Sequence, residues 1–200
     1  MEPKITIITP TYKRDRNTII RCLRSVDSQT YKNWEHIICS DGYDKKVKEL
    51  VEQENCNKRI YDYVKHEGIY ANNVRNKMIE KSSGDYILFL DDDNIIFPNY
   101  LEVSVNKLKH TSDKVGFCAS KTIHFGPLPE DLGEPPVILG VDNINIGSID
   151  TIQLLIKKFA LKKIGGWDLK SNYYADGVTY SKLSKEYDYV KIDKVLSIHF

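Results

Sequence analysis

Apolar positions along the first hundred residues change period in a regular way. Residues 4–9 (KITIIT) form a short β-branched run, the composition of a strand. From 17 to 29 the spacing becomes helical, with Ile19, Ile20, Leu23 and Val26 on one face. The switch then recurs. Residues 35–39 predict a strand ending at the turn signal Ser40-Asp41-Gly42, and residues 44–54 a helix with Val47, Leu50 and Val51 as its stripe. Arg59–Val64 predicts a third strand, residues 70–81 a helix with Ala71, Val74 and Met78 inward, and residues 85–90 (DYILFL) a buried strand running into Asp91-Asp92-Asp93.

Strand and helix alternating with short connections predict an α/β fold, a mostly parallel, Rossmann-like sheet with helices on both faces. Such sheets bind ligands beyond the carboxyl ends of their strands. Residues 9–11, 40–42 and 91–93 all sit at such ends, so topology alone predicts that three polar clusters converge on one edge. The second half is less regular. Residues 99–109 predict a helix, 114–122 a strand, 125–136 (FGPLPEDLGEPP) a loop, and 137–149 a small antiparallel addition. A helix is expected over 151–163, ending at Gly165-Gly166, and another over Ala175–Glu186, before two short β-type runs in 188–200.

Composition narrows the classes. The 29 Lys and Arg against 28 Asp and Glu leave a formal charge of +1, which argues against a polybasic arm and against a nucleic-acid partner. No run approaches the roughly 18 apolar residues of a membrane span, and the start carries no charged and apolar leader. These features predict a cytoplasmic protein with no membrane segment, folded as one domain over residues 1–200. Cys22, Cys39, Cys56 and Cys118 lack any C-x-x-C spacing and read as reduced, mostly buried thiols.

Three adjacent carboxylates repel one another unless a cation or solvent compensates. Oxygen ligands at a strand end suit Mg²⁺ or Mn²⁺ shared with a diphosphate; the alternative is an acidic loop capping the next helix. With ITPTYKR, CLRSVDSQTYKNWEHIICSDG, VRNKMIEKSSGDYILFLDDD, and GGWD followed by a lone acidic residue, the chain resembles the family 2 glycosyltransferases of the GT-A fold. That group inverts configuration and uses nucleotide-diphosphate sugars. The likeness is near-continuous over residues 4–98 and patchier over 114–186. Residues 119–124 (ASKTIH) are also similar to a bacterial spore-coat member.

The resemblance implies a nucleotide-binding half over about 1–98 and an acceptor-binding half over about 99–200, with the following roles. Pro10, Thr11 and Tyr12 pack on base and ribose, Tyr12 by stacking; a simple turn is the alternative. Asp41 accepts from the N3–H of uracil or thymine, an ionised carboxylate being acceptor-only; its alternative is a turn residue before Gly42. Arg75 and Asn76 lie near base or phosphates, and Arg75 pairs with phosphate or the aspartates, or is a solvated helix residue. Asp93 is implied as metal ligand, Asp92 as ribose contact or part of the metal shell, and Asp91 as supporting ligand. Asp176 matches the general base, or else caps a helix; many relatives carry Glu-Asp where this chain has Ala175-Asp176. Trp167 and Asp168 line an acceptor or sugar pocket, or Trp167 belongs to the core. His199 is a metal ligand or a structural histidine, and His124 touches the donor sugar or anchors its loop.

The reading is therefore a metal-dependent inverting transferase that moves one sugar from a UDP- or dTDP-sugar to a glycan or other hydroxyl acceptor. Two alternatives are a catalytically inactive nucleotide-sugar-binding module and a haloacid-dehalogenase-type phosphatase. Asp91-x-Asp93 meets the phosphatase pattern only superficially, because Ile95 stands where such enzymes carry Thr or Val.

Overall fold

The computed structural model describes residues 2–68, 70–126, 133–144 and 148–200. Parts of the loop expected over 125–136 and of the run over 137–149 lie outside them. The first half folds as its pattern predicts: β1 (Ile5–Thr11), α1 (Arg16–Asp27), β2 (Trp34–Asp41), α2 (Lys45–Gln53), β3 (Arg59–Val64), α3 (Asn72–Lys81) and β4 (Tyr86–Phe89). Asp15 caps α1 by accepting from the Asn17 and Thr18 amides, and Asp44 caps α2 from Lys46 and Val47. Each such cap stabilises its helix by about 1 kcal/mol.

β5 (Ile95–Ile96), α4 (Tyr100–Leu108), β6 (Val115–His124), β7 (Val137–Leu139), β8 (Leu154–Lys157), α5 (Lys158–Lys163), α6 (Ala175–Glu186) and β9 (Asp188–His199) complete the described elements. Two expectations change. The helix expected over 151–163 is a 3₁₀ turn at Thr151–Gln153, strand β8 and the short α5. β8 is buried throughout between β4 and β6. Leu154 and Ile156 pack into one apolar layer, Leu155 into the other. A strand covered on both faces shows no apolar–polar alternation, so its period is ambiguous. The tail expected as two short runs is the single long strand β9, whose register against β6 shifts near Ser120–Thr122.

The sheet order is β3-β2-β1-β4-β8-β6-β9-β5, with β7 on β6. β3, β2, β1 and β4 are parallel, and the antiparallel additions all involve the second half. One face carries a core of α3 and α6 residues such as Val74, Met78, Tyr180 and Leu183; the other carries Cys22, Val26, Leu101 and Val105 of α1 and α4. β8 runs against both β4 and β6, so β6 points the same way as β4, and β9 pairs parallel with β6. The carboxyl ends of β1, β2, β4, β6 and β9 and the amino end of β8 therefore share one edge. The chain also reverses its strand order at β1, with β2 on one side and β4 on the other, which is where open α/β sheets bind ligands. Among the described residues no helix is long and apolar enough to cross a membrane.

Candidate active site

Two hollows adjoin at that edge. One, of about 410 Å³, lies over Pro10, Thr11 and Tyr12 at the end of β1, Asp41 at the end of β2, and Asp91, Asp92 and Asp93 after β4. The other, of about 540 Å³, is lined by His124, Asp150, Trp167 and Asp176. Tyr70, Arg75, Asp91 and His199 line both and form their common wall.

The aspartates differ in what holds them. Arg75, buried in α3, pairs with Asp91, donates from Nη1 to the Tyr70 carbonyl at 2.9 Å, and lies 4.8 Å from the Trp167 ring. Arg14 bridges the other two, Nε to Asp92 at 2.8 Å and Nη2 to Asp93 at 2.9 Å. The Asp92 side chain is only 5% exposed, whereas Asp91, Asp93 and His199 are 27%, 26% and 25% exposed. Of the four groups on this wall, Asp92 is therefore the least accessible to a ligand. Burial pushes Asp92 up to about 6 and raises Asp93, with Arg14 opposing both shifts. Two arginines against three carboxylates leave the cluster net negative. Its open members are hard oxygen donors, the ligand type that Mn²⁺ or Mg²⁺ takes, and the His199 imidazole lies on the same wall.

Asp41 gives both oxygens to the loop after β3, accepting from the Glu67 amide at 3.0 Å and the Gly68 amide at 3.1 Å. His66 Nδ1 lies 3.0 Å from the same carboxylate, and its ring stacks on Tyr12 at 4.6 Å and 4°. That imidazole makes the two contacts, a stack on Tyr12 and a close approach to the Asp41 carboxylate, that the resemblance implies for a nucleobase.

Asp176 opens α6 on the floor of the second hollow. Its carboxylate accepts from the Gly177 amide at 2.6 Å. Burial pushes it up to about 6; Asp150 and Asp91 repel a charge there, while the Gly177 amide and Arg75 oppose the shift. Trp167 is both a core residue and a wall of this hollow, its indole N–H donating to Asn72 Oδ1 at 2.9 Å. Tyr173 and Tyr174 are exposed at its rim.

Two of the candidate residues lie outside the linings of both hollows. The Asn76 amide is spent on Trp167, donating to its carbonyl and accepting from its N–H, each at 2.8 Å, which ties the Gly165–Asp168 turn to α3. Asp168 pairs with Lys182 at 2.8 Å and accepts from the Lys170 and Ser171 amides. Gly166 shows how tight this junction is: its φ is +84°, and a Cβ there would stand 2.4 Å from Asn76 Oδ1. Gly166→Ala should cost about 1–3 kcal/mol and lower the thermal midpoint by roughly 3–10 °C; an unchanged midpoint would contradict the clamp.

His124, at the end of β6, faces His199 in the β6–β9 register, and the two rings stack at 4.2 Å and 9°. Both Nδ1 atoms meet one oxygen of Asp150, at 3.0 Å and 2.8 Å. His124, Asp150 and His199 thus bring three potential ligand atoms within 4.8 Å of one another. Burial works against the charged form of His199, but Asp150 outweighs it and the imidazole's pKa is raised. Burial likewise opposes charge on Asp150, yet the two imidazoles hold it well below the carboxylate range.

Sequence reasoning missed Arg14, His66 and Asp150. Arg14 lies inside the ITPTYKR stretch, close to Pro10, Thr11 and Tyr12. Asp150-Thr-Ile-Gln153 has the spacing of a capping box, and both of its hydrogen bonds form. His66 carried no sequence signal.

Comparison with known proteins agrees with this architecture. An uncharacterized glycosyltransferase of Rickettsia bellii is 38% identical over 112 residues, 56% of this chain and 16% of the relative. WfgD of Escherichia coli, named a UDP-Glc:alpha-D-GlcNAc-diphosphoundecaprenol beta-1,3-glucosyltransferase, is 33% identical over 104 residues, 52% of this chain and 40% of the relative. The chain thus spans less than half of either relative's length. Staphylococcus aureus TarS 1-349 in complex with UDP superposes with a TM-score of 0.77 at 16% identity, covering 98% of this chain and 60% of that one, a likeness of fold. The description "Glycosyl transferase family 2" matches residues 6–133, well over half of the chain. With its GT-A fold and the carboxylate edge inside that span, this chain belongs to glycosyl transferase family 2.

Proposed function

We propose that the protein transfers one sugar from a UDP- or dTDP-sugar to a hydroxyl acceptor on a glycan, with inversion and with a divalent cation. The observation that carries this reading is the pair of adjoining hollows: the aspartate cluster opens into one, Asp176 into the other, and Arg75 and Asp91 stand between them. A donor in the first would present its sugar to an acceptor in the second. This divides the chain into a nucleotide-binding half, about 1–98, and an acceptor-binding half, about 99–200. WfgD is named for UDP-Glc, and the superposed TarS structure holds UDP, which favours a uridine donor.

In this scheme the base stacks on Tyr12 and donates N3–H to Asp41, taking the place that His66 fills. Asp93, Asp91 and His199 would hold Mn²⁺ or Mg²⁺, which would supply positive charge against the leaving diphosphate. Asp92, buried under Arg14, keeps that arginine oriented along the cluster. Asp176 takes the acceptor hydroxyl's proton as its oxygen bonds to the anomeric carbon and the bond from that carbon to the diphosphate oxygen breaks. Attack opposite the leaving group inverts the centre. A carboxylate that titrates near 6 suits this role, ionised at neutral pH yet more basic than a solvated one. Family membership sets aside the phosphatase alternative.

A thermal-shift panel of UDP-, dTDP- and GDP-sugars with and without Mn²⁺ tests the donor, since a bound ligand raises the midpoint by mass action. UDP- or dTDP-sugars should raise it, and more so with Mn²⁺. A response confined to GDP-sugars would overturn the base assignment.

A further inference from the structure

Asp150 lies in neither the sequence motifs nor the mechanism just described, yet it is buried in the wall of the second hollow with an uncommon pair of partners. One of its oxygens faces His124 Nδ1 at 3.0 Å and His199 Nδ1 at 2.8 Å. The other oxygen faces the Ile152 amide at 3.4 Å, and the Asp150 backbone N–H donates to Gln153 Oε1 at 2.8 Å. The residue is therefore anchored on both its main chain and its side chain. An ionised carboxylate only accepts, so each Nδ1 facing it must carry the hydrogen. That fixes the neutral tautomer of both rings and leaves the lone pair on Nε2. Asn94 Nδ2, 3.2 Å from His199 Nδ1, then faces an N–H and donates nothing to it.

The Nε2 edges are kept clear. His124 Nε2 is buried with no partner. A Cβ on Gly126 would stand 3.0 Å from it and 3.2 Å from His199 Nε2, so any larger residue there would press on both nitrogens. His124 also supports the plane of His199, since the rings lie parallel. Topology makes the arrangement rigid: His124 and His199 end two paired strands, and Asp150 precedes the turn into the strand on the other side of β6.

We infer that Asp150 is a positioning residue that fixes the tautomer and plane of His199, on the wall shared with the aspartate cluster, so that its Nε2 keeps a lone pair ready for a metal ion. The inference rests on the reading of His199 as a ligand. Carboxylates bonded to the far nitrogen of a ligating imidazole typically change metal affinity 10–100-fold when removed. The triad is not itself the ion's seat, because both Nδ1 atoms are occupied by hydrogen and parallel rings do not aim their lone pairs at one point.

The test measures Mn²⁺ affinity by electron paramagnetic resonance on the whole chain with UDP present. Asp150→Ala should weaken Mn²⁺ about 10–100-fold, while UDP affinity in excess EDTA stays within about twofold. Asp150→Asn should fall between, because its carbonyl still accepts from one imidazole. Full Mn²⁺ affinity in a folded Asp150→Ala overturns the inference. If Asp93→Ala and His199→Ala also leave Mn²⁺ affinity unchanged, the metal reading fails first and takes the inference with it. An equal loss in His124→Phe and His199→Ala, with Asp93→Ala unaffected, would put the ion among the triad and overturn the assignment. A measurement on the unmutated protein needs no variant to fold: long-range ¹H–¹⁵N spectra at pH 9 without metal should show His199 with its hydrogen on Nδ1. The Nε2–H tautomer would overturn the inference.

Discussion

Asp176→Asn is expected to lower sugar transfer by at least about a hundredfold while UDP affinity stays unchanged. The amide keeps the shape and the Gly177 hydrogen bond but cannot take a proton at neutral pH. In the unmutated protein the rate should fall about tenfold per pH unit below about 6, where burial has pushed this carboxyl, and that acid limb should vanish from the variant's residual rate. Stability moves the other way. A carboxyl whose folded pKa is raised is penalised in its ionised form, and the penalty grows as pH rises from the unfolded pKa to the folded one and is fully present above about 6. Removing the charge should therefore stabilise the fold at pH 8 by about 3 kcal/mol, read as a higher thermal midpoint. Near-normal transfer by a folded Asp176→Asn would remove this residue from the mechanism.

Asp93→Ala should lower Mn²⁺ affinity by about a hundredfold or more, since losing a ligand exceeds the effect of losing a ligand's support. The extra midpoint rise that Mn²⁺ gives a UDP-sugar should disappear with it. The fold should tolerate the change, because Arg14 keeps Asp92 at 2.8 Å and the lost side chain is partly exposed. Calorimetric titration of UDP with and without Mn²⁺ decides the matter. Equal affinities in the unmutated protein would sink the metal assignment, whatever the variant does.

The legible part of the site was the part carried by local pattern. Thr11, Asp41 and the three aspartates end or follow strands whose periodicity is plain, Tyr12 and Arg75 stand out through the family resemblance, and the parallel order of β1, β2 and β4 brings them to one edge. Asn76 shows the limit of motif position: it neighbours Arg75 in sequence but points to the Trp167 backbone, because adjacent residues on a helix face different directions. Arg14 was hidden for another reason. A basic residue after a strand is unremarkable until the fold places it across two carboxylates 78 and 79 positions away.

The alternating βαβα half and the polar residues at its strand ends follow from short-range periodicity and from composition at turns, and the family follows from the motifs they carry. How the second half completes the site depends on packing alone. β8 looks like a helix in isolation and becomes a strand because both its faces are covered, and that insertion sets β6 and β9 parallel to β4. His124, Asp150 and His199 then meet across 26, 49 and 75 residues of separation. Contacts of that range are set by strand order and register, which no local window of the chain contains.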